Sequence, residues 1–486
     1  MLRMEYEIVI GLEVHAELAT RTKMFCSCQV VDSTQAEPNT TVCPVCAGMP
    51  GVLPVVNRQA VEYAMRVGLA LGCTINHTSL FDRKNYFYPD LPKGYQISQY
   101  EHPLASDGLL VVDTSQGEKT IRIRRAHLEE DTGKLTHVEA GSENYSLVDL
   151  NRCGVPLLEI VTEPDIRSVE EARAYATTLR GILRALGVNS GDMEKGVIRF
   201  EANVSVREAG TDVLNNRVEI KNLNSFRAME RGLTYEIDRQ IKIMESGGTV
   251  AQETVGWDEA NGVTYTQRSK EDAHDYRYFP EPDLPPLVVE PDWVHRVQST
   301  LPELPRARAQ RYQADFGLAA ADARLLAADI AVAEYFENTL AAAKDVPGKT
   351  IAAWILGEVG AYLNRTGETM ETLRIAPPVL ADLLVRLTKG EVNAATAKVI
   401  LATLLEKGGT AGEIIKAQGL QQTSDQDLIA SLVARALQEN PTELESYRSG
   451  KETLANWFFG QVMRMAGGKA NPSVVREELA RQLKKE

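Results

Sequence analysis

Apolar and polar residues alternate with a period of two through much of the first 295 residues, and beyond Pro302 and Pro305 the alternation stops. A period of two belongs to a strand with one face buried and the other in contact with water or a ligand. Further on, alanine and leucine dominate, in helical segments separated by Gly and Pro. The chain is therefore read as α+β. Its 486 residues exceed the roughly 250–300 at which a single core stops growing. We expect a β-rich domain over 1–294, a helical domain over 295–400 and a helical tail over 401–486.

The alternating stretches also nominate the chemistry. In Glu7–Glu17 the residues Ile8, Ile10, Leu12, Val14 and Ala16 share one face, so Glu13 and His15 project together from the other. Such a pair is a metal or acid/base corner, or else an ordinary solvated strand face. Ile121–Asp131 ends in Glu129, Glu130 and Asp131, of which Glu129 and Asp131 share a face and Glu130 takes the opposite one. Adjacent acids without a compensating lysine repel one another unless a cation is near. Glu159 is a lone carboxylate among Leu157, Leu158, Ile160 and Val161 and needs a partner if buried. Two further strands present Arg199, Glu201 and Asn203, and Arg217, Glu219 and Lys221, on their polar faces. That mixture of basic, acidic and amide groups suits a cradle for a polar ligand.

Between these strands lies FDRKNYFYPDLPKGYQISQYE, Phe81–Glu101. It has no helical period, and it packs Arg83, Lys84, Lys93 and several aromatics, Tyr88 among them, around Pro89 and Pro92. It reads as a loop held in shape, either for structure alone or to bind phosphates and bases. His274–Leu287, HDYRYFPEPDLPPL, echoes it. A turn is expected at Ser106–Gly108. Helices are expected from the Asn57 cap to about Leu71, over Ser168–Leu186 and over Phe226–Ser246.

Cys26, Cys28, Cys43 and Cys46 form two close pairs, a spacing that suits a closed tetrahedral zinc site, the alternative being free thiols. The net charge of −14 excludes a general nucleic-acid coat. Locally, however, Ser446–Lys485 carries eight Lys or Arg against three Glu, which makes the tail the place for RNA contact. There is no apolar run of about 18 residues and no leader pattern, so a cytoplasmic protein without a membrane span is expected.

The segments GLEVHAEL, CPVCAGMPGVLPVVN, FDRKNYFYPDLPKGYQISQYE, LEEDTGK, NRCGVPLLEIVTEPD, EIKNLNSF and DYRYFPEPDLPPL, in this order, resemble the B subunit of the bacterial-type aspartyl/glutamyl-tRNA amidotransferases. The resemblance implies a cradle domain related to glutamine synthetase and guanido kinases, a helical domain and a YqeY-like tail, the last carried by NWFFGQVMRMAGGKANPSVV. It implies that ATP phosphorylates the side-chain carboxylate of mischarged Glu-tRNA(Gln) or Asp-tRNA(Asn), and that ammonia displaces the phosphate. Glu13, His15, Glu129, Glu130 and Glu159 match the family's catalytic and Mg²⁺ motifs, with either adjacent glutamate open as the direct ligand. Arg83, Lys84, Tyr88, Lys93, Arg199, Glu201, Asn203 and Lys221 are the implied ATP and substrate contacts, and Lys451, Arg464, Lys469 and Arg476 the tRNA contacts. The four-cysteine zinc is structural on this reading. The implied partners are a glutaminase of the amidase type, a small third polypeptide that completes a heterotrimer, the mischarged tRNA and a non-discriminating aminoacyl-tRNA synthetase. Two other readings are a zinc hydrolase using His15, which the four thiolates disfavour by saturating the metal, and a non-catalytic zinc-containing tRNA-binding scaffold.

Overall fold

Alternation in the first strand, β1 (Tyr6–Glu17), buries Ile10, Leu12, Val14 and Ala16 completely. The computed structural model describes residues 5–140, 143–269, 276–418, 420, 426–467 and 470–484. It divides into units 1–304 and 305–486.

In the first unit β1 is central to a twelve-stranded sheet. The other principal strands are β2 (Asp82–Asn85), β3 (Tyr95–Ser98), β4 (Ala105–Thr114), β5 (Gly117–Glu130), β6 (Pro156–Thr162), β7 (Ile198–Glu208), β8 (Val218–Leu223), β9 (Glu253–Asp258), β10 (Val263–Ser269) and β11 (Phe279–Pro280). They lie in the order β10-β9-β8-β7-β1-β6-β5-β3-β2-β11, with β4 paired to β5. The β8–β9 pair is parallel and the other pairs are antiparallel. Helices α1 (Arg58–Ala70), α2 (Val169–Ala185) and α3 (Phe226–Glu245) cover the apolar face. The Asn57 cap and the start of the helix at Ser168 are as the sequence predicts, and Ser225 caps the third helix, each side chain accepting first-turn amide hydrogens. With that face sealed, the opposite face is left for polar chemistry.

Two local expectations are corrected. Phe81–Glu101 is not a loop throughout: Asp82–Asn85 and Tyr95–Ser98 pair as a hairpin, and only its tip is irregular. Its basic and aromatic side chains hide the alternation that apolar residues usually reveal. The echoing segment joins it directly, Phe279 pairing with Arg83, and Tyr278 stacks on Tyr100 with ring centroids 4.3 Å apart. His274 and Asp275 lie outside the described residues. The turn expected at Ser106–Gly108 is instead a kink inside β4, with Asp107 at φ 58°. Gly108 is required there because a Cβ would collide with Cys73 Sγ and stand 2.7 Å from the Leu71 carbonyl oxygen.

The second unit is helical and holds two apolar cores, one built from Ala309 to Ile415 and one from Ile429 to Leu483. The joint expected at 294 falls within the helix Pro291–Ser299, and the one at 400 within Ala394–Lys407. Leu401, Leu404 and Leu405 of the latter helix are buried in the first helical core, so the packing break comes between Ile415 and Ile429. No helix among the described residues is long and apolar enough to cross a membrane.

Candidate active site

Register aligns Arg199, His15, Glu159 and His127 in one row across β7, β1, β6 and β5. His15 Nε2 lies 3.3 Å from Glu159 Oε2 and 3.7 Å from Glu129 Oε1. Glu129, two residues beyond His127 on the same face, accepts from the Ser98 hydroxyl at 3.2 Å. One ligand atom from each of His15, Glu129 and Glu159 lies within 4.8 Å of the other two, and Glu13, Glu201 and Glu219 form a second such trio beside it. Asn203 Nδ2 donates to Glu13 Oε1 at 2.8 Å, and Lys221 Nζ donates to Glu201 Oε2 at 2.7 Å.

This arrangement accumulates negative charge. Burial and then the Glu159 charge push Glu129 up to about 7. Burial and the neighbouring Glu159, Glu201 and Glu219 also raise Glu13. Burial would lower His15, but its hydrogen bond to Glu159 and the surrounding carboxylates outweigh that and hold it at about 9. Burial leaves His127 neutral, at about 3. Glu159 stays well below the carboxylate range in spite of burial, through its hydrogen bond to His15 and the charges of His15 and Lys84. Two carboxylates and an imidazole converging this closely fit a divalent cation, and carboxylates that repel one another are those a bound cation relieves.

The cluster floors a cavity of about 490 Å³ lined also by Lys84, Tyr86, Gln99, Tyr100, Arg125, Arg152, Arg199, Lys221, Tyr276 and Tyr278. Lys84 Nζ sits 4.9 Å from the Tyr276 ring centre. Buried Gln99 Nε2, Arg125 Nε and His127 Nδ1 have no hydrogen-bond partner among the described residues. Gln99 cannot relieve this by flipping, because its Oε1 already accepts from the Leu104 and Leu128 amides. A larger cavity of about 790 Å³ adjoins, sharing Glu13, Tyr100, Arg125 and Arg217 and lined by Asn203.

Of the residues nominated from sequence, Glu13, His15, Glu129, Glu159, Lys84, Arg199, Glu201 and Lys221 converge here. Four others do not. Glu130 points through the opposite face, ion-paired with Lys93 and accepting from the Ile97 amide at 3.1 Å, in a separate cavity of about 180 Å³. The geometry thus distinguishes the two adjacent glutamates and sets Glu129, not Glu130, beside His15. Lys93 is likewise engaged away from the cluster. Arg83 forks onto Glu281 at 2.7 Å, because its neighbour Lys84 takes the cavity face of β2. Tyr88, at the hairpin tip, is half exposed. Sequence reasoning passed over Arg125 and His127, although alternation back from Glu129 places both on its face. Arg152 comes from an irregular segment and carries no periodic signal.

The Sγ atoms of Cys26, Cys28, Cys43 and Cys46 lie within 4.8 Å of one another, Cys43 and Cys46 being 3.9 Å apart. A tetrahedral zinc with Zn–S of about 2.3 Å needs sulfur separations of that size. Hydrogen bonds from Cys26 and the Cys43 amide, with the charge of Lys23, outweigh burial and bring Cys46 down to about 4. In the tail, Lys451, Arg464 and Arg476 are exposed. Arg476 lies 4.4 Å from the Phe459 ring centre, and Lys469 lies outside the described residues.

A family model described as the GatB/GatE catalytic domain matches residues 8–295, and one described as the GatB domain matches 334–483. A Myxococcus xanthus protein, named as the B subunit of aspartyl/glutamyl-tRNA(Asn/Gln) amidotransferase, is 50% identical over 479 residues, covering 99% of each chain. Proteins of the same name from Moorella thermoacetica and Thermotoga maritima are 50% and 47% identical over 480 and 486 residues, each covering 99% of this chain and 100% of the relative.

Proposed function

Because the chain belongs to the GatB/GatE family of amidotransferase B subunits, we propose that it amidates Glu-tRNA(Gln), Asp-tRNA(Asn) or both by way of an ATP-derived acyl phosphate. The observation that carries this reading is the convergence of two carboxylates, an imidazole and the basic groups Lys84, Lys221 and Arg199 in one cavity. A carboxylate is a poor acyl donor because its leaving group would be oxide. Moving the γ-phosphoryl group of ATP onto a side-chain carboxylate oxygen turns that oxygen into part of a phosphate leaving group. Ammonia then attacks the carbonyl carbon, the C–O bond breaks, inorganic phosphate departs and the nitrogen loses a proton.

His15, Glu129 and Glu159 would hold Mg²⁺, and Glu13, Glu201 and Glu219 offer a second place for a cation. Bound there, Mg²⁺ supplies charge neutralisation where two anions must meet. Lys84, Arg199 and Lys221 bring positive charge to the transferring phosphoryl group and the substrate carboxylate. Glu159 orients His15, and Asn203 fixes Glu13. The tyrosines beside Lys84 exclude water, protecting the acyl phosphate from hydrolysis.

The sheet domain, of glutamine synthetase and guanido kinase type, does this chemistry, and the separate core from Ile429 to Leu483, a YqeY-like tail, meets tRNA. The cysteine knuckle holds a structural Zn²⁺. Ammonia comes from a glutaminase partner in a three-chain cytoplasmic complex, and the tRNA is charged by a non-discriminating synthetase. The test uses Glu-tRNA(Gln) labelled with ¹⁸O in the side-chain carboxylate: amidation through an acyl phosphate delivers one ¹⁸O to inorganic phosphate. Unlabelled phosphate accompanying amide formation would overturn the reading.

A further inference from the structure

Lys23 is completely buried, and its ammonium makes three contacts: the Thr41 carbonyl oxygen at 2.8 Å, the Leu150 carbonyl oxygen at 3.2 Å and Cys46 Sγ at 3.5 Å. Among the described residues no carboxylate lies within 4.0 Å of it. A buried ammonium facing only carbonyl dipoles is left with most of its desolvation cost, which is several kcal/mol by general experience with unpaired buried ions. The anion that offsets it has to be the sulfur cluster. Four neutral thiols supply no charge, and neither do two disulfides; a lone Cys46 thiolate supplies −1 and leaves the other three sulfurs neutral. Four thiolates around one divalent ion leave a net charge of −2.

We infer that Lys23 is the built-in counter-cation and positioning residue of the four-cysteine metal site, donating to the Cys46 thiolate and reducing the buried charge of the loaded knuckle from −2 to −1. The inference rests on the zinc reading of the knuckle given above.

Local geometry fits this role. The Lys23 amide donates to the Cys28 carbonyl at 2.9 Å, so the same residue is tied to both cysteine pairs. Its stem runs beside Gly154, where a Cβ would stand 3.6 Å from Lys23 Cδ and 3.5 Å from Cys46 Cβ. The remaining two ammonium hydrogens bind Thr41, within the knuckle, and Leu150, outside it. The ammonium therefore fixes the knuckle to the sheet domain as well as compensating its charge. A charged donor draws electron density from the sulfur that accepts its hydrogen and makes that sulfur a weaker nucleophile. Cys46 should accordingly be the last of the four to be alkylated.

The experiment follows zinc release from the full-length chain to a chromogenic chelator, in wild type, Lys23→Met and Lys23→Arg. Lys23→Met should weaken zinc binding about 10–100-fold, the usual cost of losing a partner behind a metal ligand. It should also shift the sulfur-to-cobalt charge-transfer band of the Co²⁺-substituted protein, with Lys23→Arg restoring both. A Lys23→Met protein that keeps wild-type zinc retention and an unchanged cobalt spectrum overturns the proposal. A wild type that holds no zinc overturns the zinc reading instead. If Lys23→Met does not fold, wild-type protein labelled with ¹⁵N-lysine decides: one slowly exchanging ammonium signal that moves when Cd²⁺ replaces Zn²⁺ supports the contact, and its absence refutes it.

Discussion

His15 and Glu159 face each other as register partners across β1 and β6, with Nε2 3.3 Å from Oε2. The pairing puts an imidazole and a carboxylate on one spot of the polar face through backbone register alone. No loop has to move to bring them together, so the geometry is as rigid as the sheet.

Replacing His15 with Ala or Glu159 with Gln should therefore abolish ATP-dependent activation of the charged tRNA while the assembled complex still hydrolyses glutamine. Rates should fall by about 10²–10⁴, the range for removing a group that stabilises developing charge or transfers a proton. Measuring amide formation and glutaminase activity in parallel checks this, and near-normal amidation in both variants would sink the assignment.

The adjacent glutamates give a sharper contrast. Glu129 joins His15, whereas Glu130 is ion-paired with Lys93 behind the sheet. Glu129→Gln should raise the Mg²⁺ concentration needed for half-maximal activation, and Glu130→Gln should leave that concentration unchanged even if turnover falls. A Mg²⁺ titration of both variants decides. Equal shifts would mean that the strand's two faces are not chemically separate.

Much of this was legible in the sequence. Alternation placed Glu13 with His15 and separated Glu129 from Glu130, because the period of a strand assigns faces without knowledge of its neighbours. The same rule, carried back along the strand, would have found Arg125 and His127, which are hidden only by being less conspicuous than three acids. Register was not legible: nothing in the chain says that Glu159 pairs with His15 rather than with a residue two positions away. The tyrosines of the cavity wall come from two segments nearly 200 residues apart that meet through the short pairing of Phe279 and Pro280 with Arg83 and Asp82, the Arg83–Glu281 ion pair and ring contacts. Lys84 rather than Arg83 reaches the cavity because β2 is a strand, which its unusual composition concealed.

A pH dependence follows from a carboxyl pair at the edge of the same cavity. Burial and then the charge of Asp131 push Glu17 up to about 8, whereas Arg199 and Arg152 overcome burial to hold Asp131 at about 2. Folded Glu17 thus keeps a proton that the unfolded chain releases near about 4.3. Its contribution to stability is fully present below that value and is lost as pH rises toward 8. Asp131 has the opposite sign, its contribution being lost as pH falls from about 3.9 toward 2. Glu17→Gln should therefore gain on wild type steadily between about pH 5 and pH 8 in denaturant unfolding. A constant difference across that range would show that Glu17 is ionised in the native state.

Stripping zinc, or making Cys43→Ser with Cys46→Ser, should lower the melting temperature and leave Cys73 and Cys153 irrelevant to metal content. A closed thiolate site contributes its binding energy to folding and keeps no open position for chemistry. Metal analysis should find one zinc per wild-type chain and none in the double variant, with unchanged content refuting the site.

Charge and packing together make the tail the proposed place of RNA contact. Lys451, Arg464 and Arg476 are exposed in the part of the chain whose core runs from Ile429 to Leu483, while the acid cluster belongs to the sheet unit. Truncation should be made after Leu420 rather than at 400, since Leu401, Leu404, Ala411 and Ile415 belong to the preceding core. The truncated chain, assembled with its partners, should keep Mg·ATP binding and raise the KM for charged tRNA far more than it lowers kcat. Neutralising Lys451, Arg464, Lys469 and Arg476 in the full chain should do the same without deleting any core. Removing one cation that touches a phosphate should flatten the logarithmic salt dependence of tRNA binding by about one unit, because its counterions are no longer released. Arg476 should contribute least to that slope, since its guanidinium already lies over Phe459. An unchanged KM and salt slope in the truncated complex would move the RNA contact to the sheet unit and the partner chains.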